Sequence, residues 1–145
     1  MSLQPTAFPP IPTDTARVAK AAFRRKGSIY LTIGDHIGTL FDAVDFSGLY
    51  AADGAPSLSP NLLALVLVFA FIEDLSDREA AEAVLARIDW KYALHLSLTD
   101  PGFDHSVLHD FRQRLLQHDA AAQLFNVVLA RLGELGLVRA GGRQR

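Results

Sequence analysis

The sequence contains no cysteine. That absence excludes disulfide staples, thiolate metal sites and cysteine nucleophiles together, and it suits a reducing cytoplasm. A basic excess is missing too: 14 Lys and Arg stand against 16 Asp and Glu, a formal net charge of −2. Phosphate contacts usually leave a positive footprint, so the whole-chain balance argues mildly against nucleic acid. No long apolar run occurs. The most hydrophobic stretch, residues 62–72, is 11 residues long and stops at Glu73 and Asp74, whereas a bilayer span needs about 20. It reads as a buried core helix, and a membrane partner is excluded. The start, Met1-Ser2-Leu3-Gln4-Pro5, has neither the basic opening nor the apolar segment of a secretory signal. A glycine-rich phosphate loop is also lacking, because Gly141-Gly142 follows a helical pattern instead of opening one. The expected location is the cytoplasm.

What is present is an ordinary globular balance of 50% hydrophobic and 21% charged residues over 145 positions, enough for one domain with a core. The charge is unevenly spread. Residues 1–34 carry Arg17, Lys20, Arg24, Arg25 and Lys26 against Asp14, a net +4. Residues 35–90 hold ten acids against Arg78 and Arg87, a net −8, and residues 91–145 return to +2. Basic ends flanking an acidic middle are compatible with DNA contact at the ends, and equally with chance.

Helical signals dominate. Four prolines between positions 5 and 12 exclude a helix there and suggest a flexible lead-in. Thr13 offers an N-cap for a helix to about Arg25, ended by Gly27. Residues 28–33 have β propensity without a partner strand and read as an extended connector. Gly34-Asp35 would open a second helix with Ile37, Leu40, Phe41 and Val44 on one face, and residues 45–60 read as loop. Ser59-Pro60 is a helix start, hydroxyl as cap and proline in the first turn. Ser76-Asp77-Arg78-Glu79 is a capping box, predicting a helix through Ile88 that buries Ala80, Ala83, Val84 and Ile88. Asp89 would cap a short helix over residues 90–96, with Trp90 and Tyr92 as core filler and Lys91 outside. Asp104 would cap a helix over residues 105–117 with Val107, Leu108, Phe111, Leu115 and Leu116 inward. A last helix would run over residues 119–135 to Gly136. The predicted fold is all-α: a single helical domain with a helix-turn-helix-like three-helix segment and flexible basic tails.

The outer face of the 105–117 helix carries His105, Ser106, His109, Arg112 and Gln113, with Arg114 nearby. Such side chains on one helix face suit base edges and phosphates, although the same pattern fits a solvated face and Asp104 and Asp110 repel phosphate. Arg17, Lys20, Arg24, Arg25 and Lys26 form a candidate phosphate-gripping arm or, alternatively, a solvated terminal helix. His105 and His109 have the i, i+4 spacing of metal pairs, but Ser106 occupies the position a zincin gives to glutamate and no third ligand is evident. Ser106, His109 and Asp110 share one helix and cannot converge as a hydrolytic triad. No metal site and no catalytic group is expected.

Four phrases in order then resemble one family. They are Gly54-Ala55-Pro56-Ser57-Leu58-Ser59-Pro60 before an apolar helix, Leu75-Ser76-Asp77-Arg78-Glu79, Asp89-Trp90-Lys91-Tyr92-Ala93-Leu94-His95-Leu96, and Asp100-Pro101-Gly102-Phe103-Asp104-His105-Ser106-Val107-Leu108 with Phe111-Arg112 and Arg114-Leu115. Their order and spacing resemble the N-terminal, InsH-like domain of bacterial DDE-type insertion-sequence transposases over residues 35–145. Two positions depart from the pattern: His95 stands where the family usually has glycine, and His109-Asp110 where small or acidic residues are common.

The resemblance implies a helical domain that recognises the element's terminal inverted repeats in double-stranded DNA. Lys91, Arg112, Arg114 and the basic arm would contact phosphate, and Ser106, His109 and Gln113 would lie nearest the bases. In the family an RNase H-like domain follows, whose Asp, Asp and Glu hold two divalent metals for strand cleavage. It typically begins with a Thr-Asp strand after a phrase like Gly142-Arg143-Gln144-Arg145, where this chain stops. The expectation is therefore recognition without catalysis and without a cofactor of its own. The implied division is a lead-in and basic helix at 1–34, the helical domain at 35–138 and a linker stub at 139–145. The alternative is a protein-interaction or dimerisation module, such as a truncated product forming mixed multimers with full-length transposase, favoured by the acidic middle and the apolar helices.

Overall fold

A computed structural model describes residues 8–36, 59–117, 121–134 and 136. Seven helices and no strand occur among the described residues. The first, α1 (Thr13–Ala22), starts after Pro12 and ends at Phe23, with Asp14 in its first turn and Lys20 in its last, both favourable to the helix dipole. It stops before Arg25. Residues 23–26 form a turn, and Gly27 follows in the left-handed region at φ 70°.

Residues 28–33, expected as an extended connector, instead open α2 (Ile29–Asp35). The Ser28 side chain accepts from the Tyr30 backbone N–H at 3.1 Å and caps the helix. Tyr30 and Ile33, spaced i, i+3, are both buried. Burial on one helical face overrides the β preference of the sequence. Gly34-Asp35 therefore ends a helix where it was expected to begin one, and Ile37, Leu40, Phe41 and Val44 lie outside the described residues.

The centre of the fold is α3 (Pro60–Glu73), of whose 14 residues 12 are buried. Its start follows the sequence signal: the Ser59 side chain accepts from Asn61 N–H at 3.1 Å, with proline in the first turn. A helix apolar on all sides must be surrounded. Accordingly α4 (Asp77–Ala86), α6 (His105–Gln117) and α7 (Ala121–Glu134) pack against it. The capping box of α4 is formed in both directions, Glu79 N–H donating to Ser76 Oγ and Ser76 N–H to Glu79 Oε1.

The helix predicted to continue through Ile88 breaks at Arg87, whose backbone is extended (φ −94°, ψ 125°), and α5 (Ile88–Ala93) begins there. The break has a chemical cause. Arg87 donates from Nη1 to Glu73 at 2.7 Å and from Nη2 and Nε to the two Asp89 oxygens at 2.8 and 3.1 Å. Its guanidinium also lies 5.4 Å from the Tyr30 ring centre and 5.1 Å from that of Trp90. Tyr30, Phe69 and Trp90 pack edge to face or tilted, centroids 4.7 to 5.9 Å apart, joining α2, α3 and α5. The Tyr30 hydroxyl donates to Glu73. Burial pushes the Glu73 carboxyl up, but hydrogen bonds from Arg87 and Tyr30 outweigh it and hold the group below its ordinary value.

Both α1 and α2 dock on α5. Thr15 Oγ1 donates to Leu96 O at 2.7 Å, and Tyr92 Oη to Asp35 at 2.6 Å. Burial, then the bond to Asp35, pushes the Tyr92 phenol up to about 12. With Ala19, Tyr30 and Ile33 buried, the basic lead-in shares the packed body of one all-α domain. Of the expected proline-rich lead-in, residues 8–12 are described, without regular structure and with Phe8 packed against the core, while the C-terminal tail, linker stub and Asp119 cap lie outside the described residues.

Candidate nucleic-acid interface

On α6, Leu108, Phe111 and Leu115 are buried, so spacing alone turns the opposite side outward. Ser106, His109 and Gln113 are exposed, while His105, Arg112 and Arg114 are partly buried. Leu116, expected inward, is 58% exposed, because it sits one residue round the helix from buried Leu115. The Asp104 carboxylate accepts from Ser106 N–H at 3.0 Å, as the sequence predicted for a cap. Hydrogen bonds from the Ser106 side chain and backbone hold its carboxyl below the usual range. The first turn of α6 thus already has its anion.

The arginines of this helix are engaged within the domain. Arg112 Nη1 reaches Asp77, the first residue of α4, at 2.6 Å, and Arg114 Nε reaches Asp110 one turn back at 3.2 Å. Arg112 remains 39% exposed beside an Asp77 that is 16% exposed. Its charge thereby orients α6 on α4 and stays within reach of solvent. Sequence reading also passed over Arg78. It is exposed on α4 and shares with His105 a hollow of about 180 Å³ between α4 and the loop leading into α6. Its position directly after the Ser76-Asp77 cap was the available signal, since helix N-termini commonly meet anions.

Lys91, expected outside, is only 3% exposed. Its Nζ donates to Asp100 O at 3.0 Å, while the Asp100 carboxylate accepts from Gly102 N–H at 2.9 Å. Burial lowers its pKa against the opposing pull of Asp100. All of residues 89–93 are buried because α5 has α1 and α2 on its flanks. Lys91 therefore fastens the turn that leads into α6 and is not a surface cation.

The basic turn forms a second patch. Arg24, Arg25 and Lys26 are exposed between α1 and α2, and Lys20 is exposed on α1. Arg17 pairs with Asp14 at 3.2 Å in full solvent, a contact worth little. Among the described residues no carboxylate pairs with Lys20, Arg24, Arg25 or Lys26. This patch rides on α5, whereas α6 packs on α3, α4 and α7, so the structure does not merge the two groups of candidates into one contact set. Among the described residues no three His, Asp or Glu side chains gather as a metal site.

A sequence profile of the transposase domain family (DUF772) matches residues 19–114. The chain belongs to this transposase family. The matched span runs from buried Ala19 on α1 through the basic turn, α2, α3, α4 and α5 to Arg114 on α6, so the α6 face and the patch of Lys20, Arg24, Arg25 and Lys26 fall inside it, and Arg17 precedes it. No curated protein and no solved structure matches the chain at significant similarity. A transposase-related role follows from the family. No helix among the described residues is long and apolar enough to cross a membrane.

Proposed function

We propose that this transposase-family domain recognises the ends of an insertion element, as the DNA-binding part of a DDE-type transposase whose cleavage carboxylates and divalent metals belong to a separate RNase H-like domain. The observation that carries the reading is the outward face of α6 within the family-matched span. Ser106, His109 and Gln113 project from a helix anchored by Leu108, Phe111 and Leu115 and clamped to α4 by the Arg112–Asp77 pair. Gln and His offer the donors and acceptors that base edges in the major groove demand. Arg78 and the solvent-facing side of Arg112 serve neighbouring phosphates. The turn bearing Arg24, Arg25 and Lys26, with Lys20, supplies a second phosphate grip. Lys91 acts from inside by fixing the turn before α6.

Fluorescence anisotropy on a labelled terminal repeat and a scrambled duplex, across a salt series, tests this. Each phosphate contact contributes about 0.9 to the slope of log affinity against log salt. The triple change Arg24→Ala, Arg25→Ala and Lys26→Ala is expected to flatten that slope by about 2 to 3 on both duplexes. Gln113→Ala is expected to cut preference for the repeat by about 1–3 kcal/mol and leave the slope unchanged. Equal, negligible binding of both duplexes by the wild-type chain at low salt refutes the reading.

A further inference from the structure

Two arginines of the fold meet carboxylates in opposite ways. Arg87 engages all three of its nitrogens, on Glu73 and on both oxygens of Asp89. Arg112 engages one: Nη1 donates to Asp77 Oδ2 at 2.6 Å, and Nε and Nη2 meet no acceptor among the described residues. Asp77 is under-used as well. Its other oxygen, Oδ1, is buried and has no hydrogen-bond partner. A buried acceptor left without a donor costs stability, and α4 and α6 already pack through the core they share, with Ala80, Val84, Leu108 and Phe111 all buried. Stability alone does not account for this pair.

Arg112 borders the outward face of α6, one turn after His109 and next to Gln113. Its side chain is 39% exposed, and the unengaged Nε and Nη2 are a pair of donors suited to two oxygens of one phosphate. Asp77 therefore does two things to one cation. It cancels the charge as felt from a distance, and it fixes the plane of the guanidinium. We propose that Asp77 determines specificity for DNA as a positioning residue that acts through Arg112. It withholds Arg112 from phosphates in general and presents it to the one phosphate that correct docking of α6 brings within reach. This assignment rests on the reading of α6 as the DNA-facing helix.

The other surface cations are held differently. Among the described residues no carboxylate pairs with Lys20, Arg24, Arg25 or Lys26, so these act on any duplex by charge. Arg114 pairs along its own helix with an Asp110 that is 62% exposed, where solvent screens the contact. Only Arg112 is matched to a carboxylate on a second helix that is 16% exposed. An ion pair of zero net charge displaces no counterion, whereas an unpaired arginine at the same place displaces about one from the phosphate it meets. Asp77→Asn keeps the size of the side chain and an acceptor for Nη1, but removes the charge. On scrambled DNA, held by charge alone, the change is only a gain. On the repeat the gain is opposed by a looser guanidinium, because a neutral acceptor holds it about half as strongly. The variant binds more tightly and discriminates less.

The test uses the full chain and fluorescence anisotropy on a labelled terminal repeat and a scrambled duplex, each across a salt series. Asp77→Asn is expected to bind the scrambled duplex roughly five- to tenfold more tightly than wild type near 0.1 M salt, with the slope of log affinity against log salt steeper by about 0.9. Its preference for the repeat is expected to fall. Adding Arg112→Ala to Asp77→Asn is expected to return the slope to the wild-type value. An unchanged slope in Asp77→Asn overturns the assignment, and so does a steeper slope that survives Arg112→Ala, because Asp77 would then repel DNA directly. If a variant fails to fold, the wild-type chain decides. The Arg112 Nε–H signal of 15N-labelled protein is expected to shift on adding the repeat and to stay in place on adding the scrambled duplex; equal shifts overturn the proposal. Negligible binding of both duplexes by the wild-type chain removes the DNA reading and this assignment with it. A wild type that prefers the repeat, matched in slope by Asp77→Asn, removes this assignment alone.

Discussion

The contact between α2 and α5 sets up a demanding test of the packing, because Gly34 lies where a side chain has no room. A Cβ built there would sit 2.8 Å from both the Tyr92 carbonyl oxygen and Tyr92 Cδ1, and 3.0 Å from Cε1. The ring edge could rotate, but the carbonyl belongs to the backbone of buried α5 and cannot yield without moving the helix. Overpacking of this kind costs about 1–3 kcal/mol. Shifting α2 also strains the Tyr92–Asp35 hydrogen bond at 2.6 Å, worth about 1 kcal/mol. Against that, replacing glycine by alanine inside a helix returns roughly 1 kcal/mol. The balance for Gly34→Ala is a net loss of about 1–3 kcal/mol, or roughly 3–10 °C in Tm for a chain of this size. Thermal unfolding followed by far-ultraviolet circular dichroism reads this directly, with urea midpoints as a check. Gly27→Ala is the companion variant: nothing lies within 4 Å of its Cβ, yet its φ is 70°. Its loss of about 1–2 kcal/mol would come from the backbone alone. If Gly34→Ala unfolds at or above the wild-type temperature, helix propensity has outweighed sterics and the close α2–α5 packing described above is wrong.

Two further predictions concern single interactions. Ser76→Ala removes one half of a formed capping box and is expected to cost about 1 kcal/mol, seen as a lower urea midpoint with unchanged m-value. Glu73 is held below its ordinary value in the fold, so its contribution is present above the ordinary glutamate range and is lost as pH falls through the lower folded value. Urea midpoints measured from pH 7 downward are expected to drop below about pH 4.5 in the wild-type chain, that figure being the ordinary glutamate value. Glu73→Gln is expected to start lower at neutral pH and to fall less steeply; an unchanged acid limb would remove Glu73 from the network.

What could be read without coordinates was local in origin. Ser59-Pro60, the Ser76 and Glu79 pair and the Asp104 cap each satisfy a helix's own free N–H groups within three residues, so their signal survives in one dimension. The apolar run centred on Val66 could only be a surrounded helix, and α6 followed from its period, which placed Ser106, His109 and Gln113 outward. Four things needed the third dimension. Residues 29–35 became helical because Tyr30 and Ile33 find Phe69, Trp90 and α5, dozens of positions away. Arg87 broke a predicted helix because Glu73 and Asp89 flank it in space. Lys91 went inside because the Asp100 carbonyl awaits its amine, and Arg112 turned toward Asp77, 35 positions earlier in the chain. Propensity and capping energies are of order 1 kcal/mol per site, and burial and charge pairing between distant segments exceed them. The sequence by itself therefore determined where most helices begin and which faces are apolar, while tertiary contacts decided which cations remain on the surface.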